Sequence, residues 1–211
     1  MNRKKAQNIV EQLRQTFPEA KCELDHKNAY ELLIATMLSA QCTDVRVNKT
    51  TKTLFPKYPT PKDLANASQE EVEDSIREVG LFHSKAKNIR QTARILVEQY
   101  DSEVPGTMQE LTKLPGVGRK TANVVLSNAF NVPSIAVDTH VFRVSHRLGL
   151  SKSTTPESCE KDLQKILKKE VWSEAHHLFI FLGRYICKAR KPQCKECSLL
   201  DLCEYSDKNL A

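Results

Sequence analysis

No apolar run in the 211-residue chain approaches the ~20 residues that a helix needs to cross a bilayer, so no membrane partner is expected. The opening MNRKKAQNIVE lacks the apolar core of a secretion signal. Seven cysteines, an odd number, disfavour a secreted disulfide framework, and the cytoplasm is the expected compartment. There is no internal repeat and no low-complexity linker. Strand signals are nearly missing as well: the one candidate, residues 132–137, is short and broken by Pro133. The length allows one large domain or two small ones that share a cleft. Hydrophobic residues at 40% and charged residues at 27% match ordinary globular proteins, which argues against wholesale disorder. Lysine plus arginine exceeds aspartate plus glutamate by 32 − 26 = +6. That surplus suits a polyanionic partner, although many proteins without one carry as much.

What is present is helical periodicity. Ile9, Val10, Leu13 and Phe17 mark a first amphipathic helix; Tyr30, Leu33, Ile34, Met37 and Leu38 mark a second, more buried one. Ser68 and Glu71 form a capping box for a helix carrying Val72, Ile76 and Val79, with Gly80 as its expected stop. Ala86, Ile89, Ala93, Leu96 and Val97 give another apolar face. Ala122, Val124, Val125, Leu126 and Ala129 place the helix within 117–130 in the interior on most sides. Thr155 before Pro156 is an N-cap with proline at the first helical position. Residues 171–187, rich in Leu178, Phe179, Ile180 and Leu182, are expected to form the last long helix. The fold class is all-α.

Two segments carry chemistry. Cys22, Cys42 and Cys159 are scattered, but Cys187, Cys194, Cys197 and Cys203 follow the pattern C-x6-C-x2-C-x5-C. Four thiolates so close together converge on one centre only if that centre is a metal or a cluster. Zinc usually takes two close C-x2-4-C pairs separated by a longer spacer. One close pair flanked by wider gaps suits a loop wrapped around an iron–sulfur cubane better, with zinc the alternative.

The second segment is LTKLPGVGRKTANVV, residues 111–125. Pro115 prevents a short helix ending near Leu114 from continuing. Gly116 and Gly118 permit backbone angles closed to other residues and remove side chains from the turn. Another helix follows at once, so its free amides point outward with partial positive charge. Such a turn binds phosphate through backbone N–H groups without reading sequence. A lone G-x-G is mostly an ordinary helix–helix corner, whereas the full string LPGVGRKTA is far more specific.

LPGVGRKTA, then VDTH at 137–140, the four-cysteine loop and LSAQCTD at 38–44 together resemble the helix-hairpin-helix DNA glycosylase superfamily over nearly the whole chain. The resemblance implies two helical domains with DNA bound along the cleft between them. Residues 22–132 would form a six-helix domain containing the hairpin at about 107–130. Residues 1–21 and 133–211 would form a helical domain with a 4Fe–4S cluster in the loop 187–203, held by Cys187, Cys194, Cys197 and Cys203. The implied activity is removal of oxidised pyrimidines from double-stranded DNA, followed by nicking at the abasic site, by a monomer.

The resemblance also pairs Lys120 with Asp138, which spacing alone could not do. A lysine amine is nucleophilic only when neutral, and the positive end of a helix opposes its protonation. It would attack the anomeric carbon, displace the base and open to a Schiff base that permits β-elimination of the 3′-phosphate. The Asp138 carboxylate would take the amine's proton and stabilise positive charge at the anomeric carbon. Without the resemblance Lys120 reads as a solvated lysine and Asp138 as a helix N-cap, the latter compatible with catalysis. Adenine-excising relatives carry a glutamate in the helix corresponding to residues 32–41 and a further C-terminal domain. Here no acid lies between Leu32 and Thr43, and no lesion-reading domain is expected beyond Ala211.

A stacked base must be flipped out before it can react, and the hole must be filled. The resemblance assigns the filling to Gln41 and an opposing wedge to Leu81. Leucine is mostly buried, so composition favours a core contact for Leu81. Gly116, Val117, Gly118 and Arg119 of the hairpin are the expected phosphate contacts. His140 would bond DNA or support its helix. Arg190, Lys191 and Lys195 near the cysteines would contact phosphates or balance thiolate charge. A non-catalytic DNA-binding module and an electron-transfer iron–sulfur protein are the competing classes; a ferredoxin needs neither the hairpin nor the lysine.

Overall fold

A computed structural model describes residues 3–210 of the chain. These residues form eleven α-helices with short 3₁₀ turns, one π-helical turn and no strand. Residues 132–137, the one strand candidate, form no strand and run without regular structure, with Ile135, Ala136 and Val137 buried. The chain divides into two compact units: Glu23–Val132, and the described residues up to Cys22 together with those from Pro133 onward.

The Glu23–Val132 unit holds α2 (Ala29–Leu38), α3 (Asp44–Lys57), α4 (Pro61–Asn66), α5 (Gln69–Ser75), α6 (Phe82–Gln99), α7 (Met108–Leu111) and α8 (Arg119–Ala129). Helix α2 is buried from Tyr30 through Leu38 and packs chiefly on α8, whose Ala122–Ser127 stretch is buried as the pattern predicts. Each fully buried leucine here, such as Leu32, Leu33 and Leu38, contributes about 2 kcal/mol of transfer free energy. Asn28 caps α2 by accepting from the Glu31 amide at 2.9 Å. The Ser68–Glu71 capping box is formed in both directions, at 3.2 and 2.8 Å. Gly80 does not end α5, however. The helix stops at Ser75, where the Ile76 amide bonds both the Val72 and Glu73 carbonyls. Ile76 and Val79 are still buried, in turn conformation, and the left-handed residue that opens the next helix is Leu81.

The second unit packs α1 (Arg3–Thr16), α9 (Thr139–Arg147), α10 (Pro156–Ile166) and α11 (Trp172–Phe181) around Ile9, Leu13, Val141, Val144, Leu163, Leu178 and Phe179. Thr155 caps α10 by accepting from the Ser158 amide at 3.2 Å, with Pro156 at the first position. The last helix is shorter than its apolar pattern suggests. It widens into a π turn at Leu182–Ile186, closed by the Cys187 amide on the Leu182 carbonyl at 2.6 Å. Arg143 of α9 holds this turn, donating to the carbonyls of Gly183 at 2.8 Å and Cys187 at 3.1 Å. Any side chain at Gly183 would come within 2.9 Å of the His140 Cβ, so α9 and the π turn meet at a glycine.

Candidate active site and metal loop

The hairpin of the Glu23–Val132 unit is built from three buried apolar residues, Leu111, Leu114 and Val117, with the turn between them held by local bonds. The Val117 amide donates to the Leu114 carbonyl at 3.1 Å, and the Thr92 hydroxyl to the Pro115 carbonyl at 3.1 Å. Gly116 has φ +75, and a Cβ there would meet the Asn88 side chain at 2.8 Å, so both conformation and space require glycine. Gly118 is the N-cap of α8 and makes no side-chain cap. The first internal bond of α8 runs from the Ala122 amide to the Gly118 carbonyl, so the preceding amides lie outside the helical ladder. Arg119 and Lys120, the first two helical residues, are exposed at this positive end. Gly116, Val117, Gly118, Arg119 and Lys120 thus share one turn; Val117 alone is buried and serves the core.

Gln41 and Leu81 lie in the same unit, in loops at the end of α2 and the start of α6. Leu81 is 59% exposed, which overturns the core contact that composition favours. Both residues are left-handed, with φ 54 at Gln41 and φ 60 at Leu81. Neither is glycine, and such conformations cost of order 1 kcal/mol or more each. Gln41 is exposed as well. A residue outside the expected set, Lys85, ties these loops together by donating to the Leu38 carbonyl at 2.9 Å.

Asp138 belongs to the second unit and is the N-cap of α9. Its Oδ1 accepts from the amides of His140 at 2.9 Å and Val141 at 2.8 Å, and its Oδ2 lies 3.0 Å from the His140 ring Nδ1. Burial alone would raise its pKa, but the His140 bond, the Val141 amide and the charges of His140 and His176 outweigh it. The carboxyl is held well below its usual range and is ionised at neutral pH. So charged, it is a weak proton acceptor and a strong stabiliser of a nearby cation. His140 supports this carboxylate and remains partly exposed.

Cys187, Cys194, Cys197 and Cys203 are free thiols lining one cavity with Leu148, Leu182, Ile186 and Leu200. The Cys197 thiol is pushed up by burial and then by the other three, a sign that they share one neighbourhood. Among the described residues no group of three or more His, Cys, Asp or Glu side chains is placed to hold a metal ion. Arg147, at the end of α9, organises the loop from both sides. It donates to the Cys187 Sγ at 3.3 Å and the Lys188 carbonyl at 2.8 Å, and it stacks on Tyr205. Its own carbonyl accepts from the Cys203 thiol at 3.3 Å. Arg190, Lys191 and Lys195 are exposed on this loop.

The family model for HhH-GPD superfamily base excision DNA repair proteins matches residues 34–169. The chain is 50% identical over 209 residues to endonuclease III of Bacillus subtilis (strain 168), covering 99% of this chain and 95% of that one. Against endonuclease III of Escherichia coli (strain K12) the identity is 48% over 208 residues, 99% of each. A solved structure of a trapped endonuclease III–DNA covalent intermediate superposes with a TM-score of 0.93 at 53% identity, covering 97% of this chain and 96% of that one. A thermostable thymine-DNA glycosylase shares the fold alone, with a TM-score of 0.87 at 24% identity, over 96% of each chain. A match spanning both units, from the hairpin to the cysteine loop, places the chain in the endonuclease III family of HhH-GPD base excision DNA repair proteins.

Proposed function

We propose that this chain excises oxidised pyrimidines from double-stranded DNA and then nicks the abasic strand, with Lys120 as nucleophile and Asp138 as the supporting carboxylate. As a member of its family it is a base excision repair glycosylase and abasic-site lyase. The observation that carries the residue assignment is the position of Lys120, exposed in the first turn of an uncapped helix directly after a phosphate-binding glycine turn.

The amine forms an N–C1′ bond as the glycosidic bond breaks, its electron pair leaving with the base, which takes up a proton. The attacking nitrogen passes its extra proton to the departing base, and the sugar ring then opens to an iminium as the C1′–O4′ bond breaks and O4′ takes a proton from water. That cation acidifies C2′; loss of a C2′ proton expels the 3′-phosphate and cuts the strand, and water then releases Lys120. Ionised Asp138 offsets the positive charge at C1′ and, by capping α9, is itself held without rotamer freedom. The turn at Gly116 and Gly118, with Arg119, grips phosphate; Gln41 and Leu81 fill the stack that the flipped nucleotide leaves.

The four cysteines fit a 4Fe–4S cluster. All four line one cavity, and a single close C-x2-C pair flanked by wider gaps suits a cubane better than the two close pairs usual for zinc. The cluster, when bound, supplies structural cross-links and no step of the reaction. It would keep Arg190, Lys191 and Lys195 in place against phosphate. No helix among the described residues is long and apolar enough to cross a membrane. A DNA-repair role supports the cytoplasm as the compartment, and we take the chain to act as a monomer.

Borohydride trapping on duplexes carrying defined oxidised pyrimidines tests imine chemistry and substrate together. The expected result is a covalent adduct that forms only with the lesion and disappears in Lys120→Gln. An adduct at parental yield in that variant would transfer the role to another amine. DNA binding without any adduct would reduce the chain to a binding module.

A further inference from the structure

Among the described residues Lys85 is the one buried lysine, at 6% exposure, and the reaction does not use it. It stands in the first turn of α6, its amide bonded to the Leu81 carbonyl at 3.0 Å. Its side chain crosses 47 residues of sequence to donate to the carbonyl of Leu38, the last residue of α2. That carbonyl is at the negative end of α2, where helix geometry provides no partner and a cation is favoured. The chain then turns through Ser39 and Cys42, whose amide bonds the Ser39 carbonyl at 3.1 Å, with left-handed Gln41 between them.

One ammonium is therefore attached to both strained tips: by four residues of helix to Leu81 and by one hydrogen bond to the segment leading into Gln41. Among the described residues no carboxylate pairs with it; burial pushes its pKa down, and only the nearby Cys42 acts in the other direction. A buried lysine without an ion-pair partner is a cost to the fold, and such costs persist where a geometry must be held. We infer that Lys85 is a positioning residue, a clasp that sets the spacing of Gln41 and Leu81 so that both enter the duplex together. This rests on the reading of Gln41 and Leu81 as the residues that enter the stack. It assigns Lys85 no contact with DNA.

The test separates base flipping from chemistry. Single-stranded abasic DNA needs no flipping, whereas excision from a duplex does. In Lys85→Met, single-turnover excision from a duplex should fall by more than tenfold, while nicking of single-stranded abasic DNA falls less than threefold. A 2-aminopurine opposite the lesion should lose most of the fluorescence rise that reports unstacking. Lys85→Arg, which keeps a cation and donors, should recover most of both. Lys85→Gln, which keeps a polar donor on a shorter, uncharged side chain, carries the same comparison should the methionine variant unfold.

Gln41→Ala and Leu81→Ala are run beside them. If these lower the duplex-to-single-strand ratio and the Lys85 variants do not, the clasp is wrong and the reading of the tips stands. If neither tip variant changes the ratio, the reading fails and the clasp with it. A parallel loss on both substrates in the Lys85 variants, unrelieved by Lys85→Arg, would make Lys85 an ordinary part of the fold and overturn the proposal.

Discussion

The glycine hairpin and the cysteine loop are both irregular, both exposed and both proposed to meet phosphate, yet they are held by different forces. Across the hairpin, Leu111, Leu114 and Val117 are buried within seven residues, the Thr92 hydroxyl bonds the Pro115 carbonyl, and the Asn88 side chain lies against Gly116. Across 187–203 only Pro192 and Leu199 are buried, and the backbone makes two isolated 3₁₀ turns, Cys194–Glu196 and Leu200–Leu202. Arg147 supplies most of the polar bonds that reach the loop from α9. Burial suffices for the first segment; the second needs bonds that the apolar core does not provide, which is what a multiply coordinated cluster supplies. On the proposed assignments the hairpin devotes its surface to chemistry, and the loop devotes its cysteines to shape.

The largest effect that could break this contrast lies at Lys120. Lys120→Gln should reduce both excision and nicking by about 10³-fold or more, while the melting temperature and duplex affinity stay near the parent's, because the side chain is exposed. A drop in melting temperature in step with activity would make the hairpin lysine structural.

Next comes the loop. Cys197→Ala should abolish bound iron and acid-labile sulfide and cost about 3 kcal/mol, roughly 10 °C in a chain of this size. Proteolysis should begin within the loop. Protein holding one zinc and no sulfide would remove the cluster while leaving the catalytic assignment intact.

Asp138→Asn sharpens the comparison, since Asp138 is at once cap and carboxylate. Turnover should fall by about 10²-fold with little change in affinity. The stability effect has a definite pH window. A carboxyl whose folded pKa is lowered contributes fully above the unfolded value, near pH 4, and loses the contribution as pH falls through the folded one. The melting-temperature gap between parent and variant should be widest at neutral pH and close in acid. A gap independent of pH would mean that the amide loses shape and not charge.

The smallest effect belongs to Gly116→Ala, about 1–2 kcal/mol, from the left-handed backbone and the approach to Asn88. If the turn grips phosphate as proposed, duplex affinity should weaken by the same factor on every sequence. A sequence-dependent loss, seen by titrating unrelated duplexes, would assign base contacts to the turn.

Features written in a few neighbouring residues are legible in the sequence alone. The Ser68–Glu71 box, the Thr155–Pro156 start, the buried α2 and α8, and the hairpin each follow from residues within one or two helical turns. Thr60-Pro61 with Asp63 is the same kind of signal for α4, and its box is formed in both directions. Helix α3 is harder to read, because its buried face mixes Val47, Leu54 and Phe55 with Thr50 and Thr51. Lys85 carries a signal too: it shares a helical face with Ile89, Ala93 and Leu96, all buried. The stop expected at Gly80 fails because glycine only permits a termination; the chain takes its left-handed turn one residue later, at Leu81.

The all-helical class, the glycine turn with Lys120 behind it, and four cysteines near enough in the chain to serve one centre all follow from sequence. Local sterics, capping and short loop lengths decide such things, and they need no distant partner. Tertiary packing was required to leave Leu81 exposed, to bring Lys85 to the Leu38 carbonyl, to let Arg143 hold the π turn open, and to brace the cysteine loop on Arg147. Each joins residues about forty or more apart in sequence, or depends on which surface is left uncovered, and no periodicity records which distant group will fill a given carbonyl.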